Sequence, residues 1–200
     1  SWINYSKNKR FMKKIYPCVV GLGYVGLPLF VRLKKKFCTI GFDIDKERIN
    51  FLLKKKDKNK EFIKKDLVLQ NSSIITDDKK KIKKSNFFIV TVPTPVNKKF
   101  KPDLKFLKNA LTIIGKNLKK NDIVFIESTI YPSVTQNFCM PILEKESGLK
   151  NNKDFIIGYS SERINPGDKK HSVENINKVV AIETNKKNVL DKVRLIYNTI

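Results

Sequence analysis

The stretch YPCVVGLGYVGLPLFVRLKKK, residues 16–36, decides the fold. Its apolar beginning predicts a β-strand, and the glycine pattern GLGYVG leads directly into a helix-like run. In this order of strand, glycines and helix, Gly21 permits a tight turn and Gly23 lets a pyrophosphate approach the backbone. Gly26 lets the helix pack closely on the strand. The N-terminus of that helix then offers free N–H groups and the positive end of the helix dipole to the phosphates.

An acidic residue after the next apolar run completes the pattern. Asp43 follows Gly23 by twenty positions, at the tip of the run CTIGF. A carboxylate there accepts hydrogen bonds from the adenosine ribose and repels the extra phosphate of NADP, so the pattern predicts NAD as the cofactor. The alternative is that Asp43 only caps the following helix, but Asp45 is better placed for that cap.

The rest of the chain alternates short apolar runs with amphipathic ones. The strand-like runs are 16–21, 38–43, 73–76, 87–92, 122–127, 155–159 and 179–183, and the helix-like runs are 26–36, 45–56, 103–118, 134–147 and 186–198. This alternation predicts an α/β fold with a doubly wound, mostly parallel sheet, a Rossmann-type domain over residues 12–200. Residues 1–11 have no periodic pattern, and we interpret them as a leader or flexible tail.

The charge of the chain raises the question of a nucleic-acid partner. The formal net charge is +23, but only five of the 42 basic residues are arginine. Arginine is the residue that usually contacts bases and phosphates, so we expect no specific nucleic-acid interface. We expect only weak, salt-sensitive binding to polyanions. The lysine runs at 34–36, 54–56 and 79–81 are interpreted as solvated surface. No apolar run is long enough for a membrane span, and we expect a cytoplasmic protein.

Cysteine and histidine are too few for a disulfide framework or a zinc site. The three cysteines, Cys18, Cys38 and Cys139, lack CxxC spacing, and His171 is the single histidine. We therefore expect no metal and interpret the thiols as reduced and mostly buried, with Cys18 and Cys38 on central strands.

Five segments resemble the UDP-glucose/GDP-mannose dehydrogenase family of nucleotide-sugar 6-dehydrogenases, and they occur in family order. They are VVGLGYVGLPLF (19–30), GFDIDKERI (41–49), IVTVPTPV (89–96), ESTIYPSVT (127–135) and GYSSERINPGDKKH (158–171). The last segment is similar to the branch that acts on UDP-N-acetylhexosamines, whose uronic acids enter capsules and O-antigens. Ser161 stands where the family usually has proline.

The resemblance implies roles for individual residues. Those implied for the cofactor are Gly21, Gly23, Tyr24, Val25, Gly26, Asp43, Arg48, Thr94 and Thr129. Arg48 would lie on the adenosine side, while Thr129 would lie by the nicotinamide and help to place the hydrolytic water. Glu162 would assist proton transfer and thioester hydrolysis, and Arg163 and Asn165 would shape the sugar side.

The family reaction oxidises a primary alcohol to a carboxylate with two NAD and needs a cysteine thiolate, a lysine and a second, sugar-binding domain. None of the three cysteines fits the nucleophile, and the central helix and sugar-binding domain are missing from these 200 residues. Two hypotheses remain open: the NAD-binding half of a dehydrogenase whose full-length relatives form homodimers, or an NAD-binding module that is inert or pairs with a separately encoded half. A third, a basic nucleic-acid-binding protein, is disfavoured by the missing recognition elements.

Overall fold

The computed structural model describes residues 15–96, 102–161 and 178–200. Their core is a seven-stranded sheet in the order β3-β2-β1-β4-β5-β6-β7. The strands are β1 (Pro17–Val20), β2 (Ile40–Phe42), β3 (Ile74–Thr76), β4 (Phe87–Val90), β5 (Ile123–Ile126), β6 (Ile156–Ser160) and β7 (Val180–Ile182). All neighbours pair in parallel except β6 and β7, which are antiparallel.

Helices cover both faces of the sheet. They are α1 (Gly26–Leu33), α2 (Lys46–Leu53), α3 (Lys105–Gly115), α4 (Met140–Ser147) and α5 (Lys187–Tyr197). Buried residues of α1, α2 and α5 share one core cluster, and those of α3 and α4 share the other. The strands between them are buried on both sides, so their sequences are continuously apolar rather than alternating.

The chain changes direction across the sheet between β1 and β4. After β1 it builds outward through β2 and β3, then returns to place β4 on the other side of β1. The loops after β1 and β4 therefore separate to opposite faces and leave a crevice at the carboxyl edge, where open α/β sheets bind their ligands. The turn after β1 that carries the predicted cofactor glycines lies at this edge.

The α/β doubly wound prediction is confirmed, and each predicted strand and helix is present within a few residues. Two details were not predicted. A short 3₁₀ helix, Lys81–Lys84, lies between β3 and β4, and a π-helical turn, Thr135–Cys139, precedes α4. Within the described parts of the chain, no helix is long and apolar enough to cross a membrane.

Two surface and core assignments are wrong. Lys34 is not solvated: it is 1% exposed, and its Nζ donates to the Val68 carbonyl oxygen at 2.8 Å. Burial lowers the pKa of Lys34. Cys38 is not packed on a central strand: it precedes β2, is half-buried, and donates its thiol to the Ser72 carbonyl oxygen.

Candidate dinucleotide site

The glycine turn after β1 has the backbone geometry that the motif predicts. Gly21 has φ +97°, a left-handed conformation that favours glycine, and its N–H donates to the Phe42 carbonyl oxygen at 2.8 Å. A Cβ at Gly26 would lie 1.8 Å from the Gly21 carbonyl oxygen. The first turn of α1 is therefore packed directly on the turn, as the third glycine of the motif permits.

Asp43 holds the glycine turn from the end of β2. Its Oδ2 accepts from the Leu22 N–H at 2.8 Å, and its Oδ1 accepts from the Asp45 N–H at 3.0 Å. A carboxylate has about four acceptor positions, so the two that remain can meet ribose hydroxyls. Asp45 caps α2 by accepting hydrogen bonds from the Glu47 and Arg48 N–H groups. The N-cap of α2 is therefore Asp45 and not Asp43, as predicted.

Arg48 points inward from the first turn of α2. Its Nε donates to the Leu22 carbonyl oxygen at 2.9 Å, and its Nη1 pairs with Asp57 Oδ1 at 2.8 Å. Both side chains of the ion pair are buried. Arg48 thus borders the site but uses two of its three nitrogens to hold protein atoms.

A cleft of about 520 Å³ opens beside these residues at the carboxyl edge of the sheet. That volume lies in the range of small-molecule and cofactor sites. Of the predicted cofactor residues, the cleft is lined by Gly21, Gly23, Tyr24, Asp43 and Arg48. Val25 and Gly26 do not line it. The opposite wall comes from the end of β4 and from Phe106, Ala110 and Ile113 of α3.

The shape at Gly23 fits a dinucleotide. A Cβ built there meets no atom within 4 Å, so packing within the described residues does not demand glycine at this position. The open space lies where the motif would place a pyrophosphate against the backbone. With Asp43 in the same cleft, these residues fit the phosphate and ribose portions of NAD.

The two predicted threonines lie together in the loops after β4 and β5. Thr94, after β4, donates its hydroxyl to the Thr129 carbonyl oxygen, after β5. The Thr129 side chain is exposed at the carboxyl edge, as a nicotinamide-side residue would have to be. Neither threonine lines the 520 Å³ cleft. Glu162, Arg163, Asn165 and His171 lie outside the described residues.

Thr91 is a site residue that sequence reasoning missed. It is buried directly after β4, and its hydroxyl contacts the carbonyl oxygens of Val20 at 3.1 Å and Gly21 at 2.7 Å. It therefore ties the glycine turn to β4. A hydroxyl residue immediately after the apolar run FFIV is the signal that could have identified it.

A buried ion pair also escaped the sequence analysis. Glu127, at the carboxyl end of β5, pairs with Lys178, which precedes β7. The Glu127 side chain is fully buried and the Lys178 side chain is 10% exposed. Because Glu127 lies two residues before Thr129, this pair anchors the strand end that carries the exposed threonine.

The thiols lie away from the cleft. Cys18 is buried within β1, and Cys139 is buried at the end of the π-helical turn. Burial raises the pKa of the Cys18 thiol, and it raises the pKa of Cys139 to about 12. Both are therefore protonated and unreactive at neutral pH. In the described part of the chain, no cluster of three or more histidine, cysteine or acidic side chains could hold a metal ion.

Comparison with protein families places most of the chain in one family. Residues 14–200 match the UDP-glucose/GDP-mannose dehydrogenase family, NAD binding domain. A UDP-N-acetyl-D-glucosamine 6-dehydrogenase from Pseudomonas aeruginosa is 49% identical over 173 residues, which are 86% of this chain and 41% of the relative. A protein of the same name from Salmonella typhi is 46% identical, over 83% of this chain and 39% of the relative.

Solved structures agree with the fold. The structure of a UDP-D-ManNAc dehydrogenase from Pyrococcus horikoshii superposes with a TM-score of 0.78 at 26% sequence identity. The match covers 92% of this chain and 44% of that one. The chain thus spans about two fifths of the length of the curated relatives that it matches.

Proposed function

The chain belongs to the UDP-glucose/GDP-mannose dehydrogenase family, and on that premise we propose that it is the NAD-binding part of a nucleotide-sugar 6-dehydrogenase. The substrate would be a UDP-N-acetylhexosamine, oxidised at C6 from the alcohol to the uronic acid for surface polysaccharide. The relatives that are 46% and 49% identical carry the name of UDP-N-acetyl-D-glucosamine 6-dehydrogenases, which supports this choice of sugar. The structural observation that carries the proposal is the open backbone at Gly23 beside the Asp43 carboxylate in one cleft.

Each part of the cleft would hold one part of the cofactor. The turn at Gly23 and the N-terminus of α1 would bind the pyrophosphate, and the free acceptor positions of Asp43 would bind the adenosine ribose. Bound NAD would supply hydride acceptance beyond the end of β4, toward Thr129. There the exposed hydroxyl of Thr129 is available to hold a water or a substrate hydroxyl, with its backbone fixed by Thr94. Glu162, Arg163 and Asn165 are proposed for proton transfer and sugar binding on the family resemblance alone.

The cofactor choice can be measured on the 200-residue chain. We expect NAD to bind with at least about tenfold lower Kd than NADP, because a 2′-phosphate would meet the Asp43 carboxylate. Isothermal titration with both dinucleotides tests this, and Asp43→Ala serves as the second protein. The variant should weaken NAD binding and reduce the difference in Kd between NAD and NADP. Equal binding of NAD and NADP by the unchanged chain would contradict the assignment of Asp43.

A second candidate function is an NAD-binding module that does not complete the oxidation alone. The observation in its favour is the position of the thiols: Cys18 and Cys139 are buried, and Cys38 lies near the amino end of β2, at the opposite edge from the cleft. A family reaction that passes through a thioester needs a thiolate at the carboxyl edge. That thiolate would have to come from residues other than these 200, in the same or a second polypeptide.

This second candidate predicts no net oxidation. The 200-residue chain incubated with NAD and UDP-N-acetylglucosamine or UDP-N-acetylgalactosamine should yield no uronic acid, measured by mass spectrometry of the nucleotide-sugar. A bacterial UDP-N-acetylglucosamine 6-dehydrogenase of full length is the positive control for the assay. Accumulation of the sugar acid with this chain as the sole protein would rule out the module interpretation.

A further inference from the structure

Two peptide groups of the glycine turn are held by side chains from other elements. The peptide between Gly21 and Leu22 donates its N–H to Asp43 Oδ2 and accepts from the Thr91 hydroxyl. The peptide between Leu22 and Gly23 accepts from Arg48 Nε through the Leu22 carbonyl oxygen at 2.9 Å. The orientation of the turn is therefore set by three side chains and not by the glycines alone.

The contact with Arg48 fixes the direction of one N–H group. A trans peptide is planar, so its carbonyl oxygen and its N–H point in opposite directions, and the described residues contain no cis peptide. Since the Leu22 carbonyl points at the buried Arg48, the Gly23 N–H of the same peptide points away from it. Gly23 lines the cleft, and among the described residues none accepts a hydrogen bond from its N–H.

Arg48 is held in turn by Asp57. The ion pair between Arg48 Nη1 and Asp57 Oδ1 measures 2.8 Å, and the Asp57 side chain is fully buried. The Asp57 carboxylate also accepts from the N–H groups of Asn59, Glu61 and Phe62, at 3.2, 2.9 and 3.3 Å. One carboxylate thus organises the loop after α2 and sets the position of the guanidinium.

The loop around Asp57 contains backbone conformations that need such support. Lys55 and Lys60, on either side of Asp57, have φ of +56° and +57°, which cost a non-glycine residue free energy. The same loop reaches the cleft, because Lys58 and Asn59 line it. A buried ion pair contributes little net stability. The role of the Arg48–Asp57 pair is therefore better explained by the orientation that it gives to the Arg48 guanidinium.

We propose that Asp57 is a positioning residue for the cofactor, which acts through Arg48 to aim the Gly23 N–H at the pyrophosphate. The proposal rests on the proposed NAD binding and changes the role of Arg48. The arginine orients the phosphate-binding turn and does not read the adenosine directly. Asp57 lies outside all five segments that resemble the family, so the resemblance does not assign it.

The test compares ligands with and without a pyrophosphate. In Asp57→Asn, the charge that holds Arg48 is lost while the side-chain size is kept. We expect Kd for NAD and for ADP-ribose to rise about tenfold, because a hydrogen bond to a charged acceptor is lost or misdirected. Adenosine, followed by ligand-observed NMR, should bind within about twofold of its original affinity, since it contains no phosphate.

Two further variants separate positioning from stability and from direct contact. Asp122→Asn is the matched control, because Asp122 is also a buried carboxylate paired with a cation, Lys119, but lies at the amino edge of the sheet. It should leave NAD affinity unchanged. Arg48→Lys keeps a positive charge but loses the planar Nε donor, and it should reproduce the pyrophosphate-specific loss even if Asp57→Asn fails to fold.

Each possible outcome either supports or overturns the proposal. Failure of the unchanged chain to bind NAD rejects the proposed function itself. If the unchanged chain binds NAD and Asp57→Asn binds it equally well, the positioning role is overturned. An equal loss of adenosine and NAD affinity in Arg48→Lys would instead assign Arg48 to direct adenosine contact. A loss of NAD affinity in Asp122→Asn would overturn the positioning role, because the loss in Asp57→Asn would then be explained by general destabilisation of the fold.

Discussion

Gly26→Ala is expected to reduce NAD affinity by at least about 100-fold and to lower the free energy of unfolding by about 1–3 kcal/mol. The added Cβ would lie 1.8 Å from the Gly21 carbonyl oxygen and 2.4 Å from Thr91 Oγ1. The nearer atom belongs to the backbone of a turn that is fixed on both sides, so it cannot rotate away. The N-terminus of α1 would have to withdraw from the turn, and the N–H groups proposed to bind the pyrophosphate would move with it.

Gly23→Ala is the matched control for this prediction. Its Cβ meets no atom within 4 Å, so we expect a melting temperature close to that of the unchanged chain. NAD affinity should nevertheless fall about tenfold or more, because the methyl group would occupy the space for the pyrophosphate. Thermal unfolding and isothermal titration on both variants separate the two effects. Unchanged NAD affinity in Gly23→Ala would show that the pyrophosphate does not lie over this glycine.

Lys178→Met is expected to lower the free energy of unfolding by about 3–5 kcal/mol. It leaves the fully buried Glu127 carboxylate in the core without the Lys178 ammonium. A loss of that size corresponds to a fall in melting temperature of about 10 °C in a chain of this length. Urea unfolding followed by circular dichroism measures the effect. The exposed Thr129 lies two residues after Glu127, so NAD binding should also be measured well below the melting temperature.

An exposed lysine–glutamate ion pair provides the comparison for the buried Glu127–Lys178 pair. Lys150 pairs with Glu144 at 2.9 Å, but the Lys150 side chain is 68% exposed, so Lys150→Met should cost less than about 1 kcal/mol. The double variant Glu127→Met with Lys178→Met removes both buried charges and should recover more than half of the loss. Equal effects of Lys178→Met and Lys150→Met would contradict the burial-based explanation.

The sequence determined the geometry of the glycine turn because that turn is built from local rules. The left-handed φ at Gly21 and the close packing at Gly26 follow from residue types at fixed spacing. Asp43 was predictable because the end of the next strand must lie beside the turn in a parallel sheet. The Asp45 cap is likewise a contact over two and three residues, set by local geometry. The five family segments supplied the rest of the assignment.

The tertiary structure alone decided which charged groups are buried and what they hold. Lys34 belongs to a lysine run that the sequence marks as solvated, yet its ammonium meets the Val68 carbonyl 34 residues later. Glu127 meets Lys178 across 51 residues. Such pairs depend on which loops the fold brings together, and residue type and local spacing do not contain that information.

Arg48 shows most clearly which part of the site the sequence determines and which part only the tertiary structure decides. The family resemblance predicts that Arg48 lies near the cofactor, and the structure places it at the border of the cleft. Only the packing of the loop after α2 turns its guanidinium toward Asp57 and the Leu22 carbonyl. The physical reason is that the sequence fixes where a strand or helix ends, whereas the direction of a long side chain there depends on the buried partners that three-dimensional packing supplies.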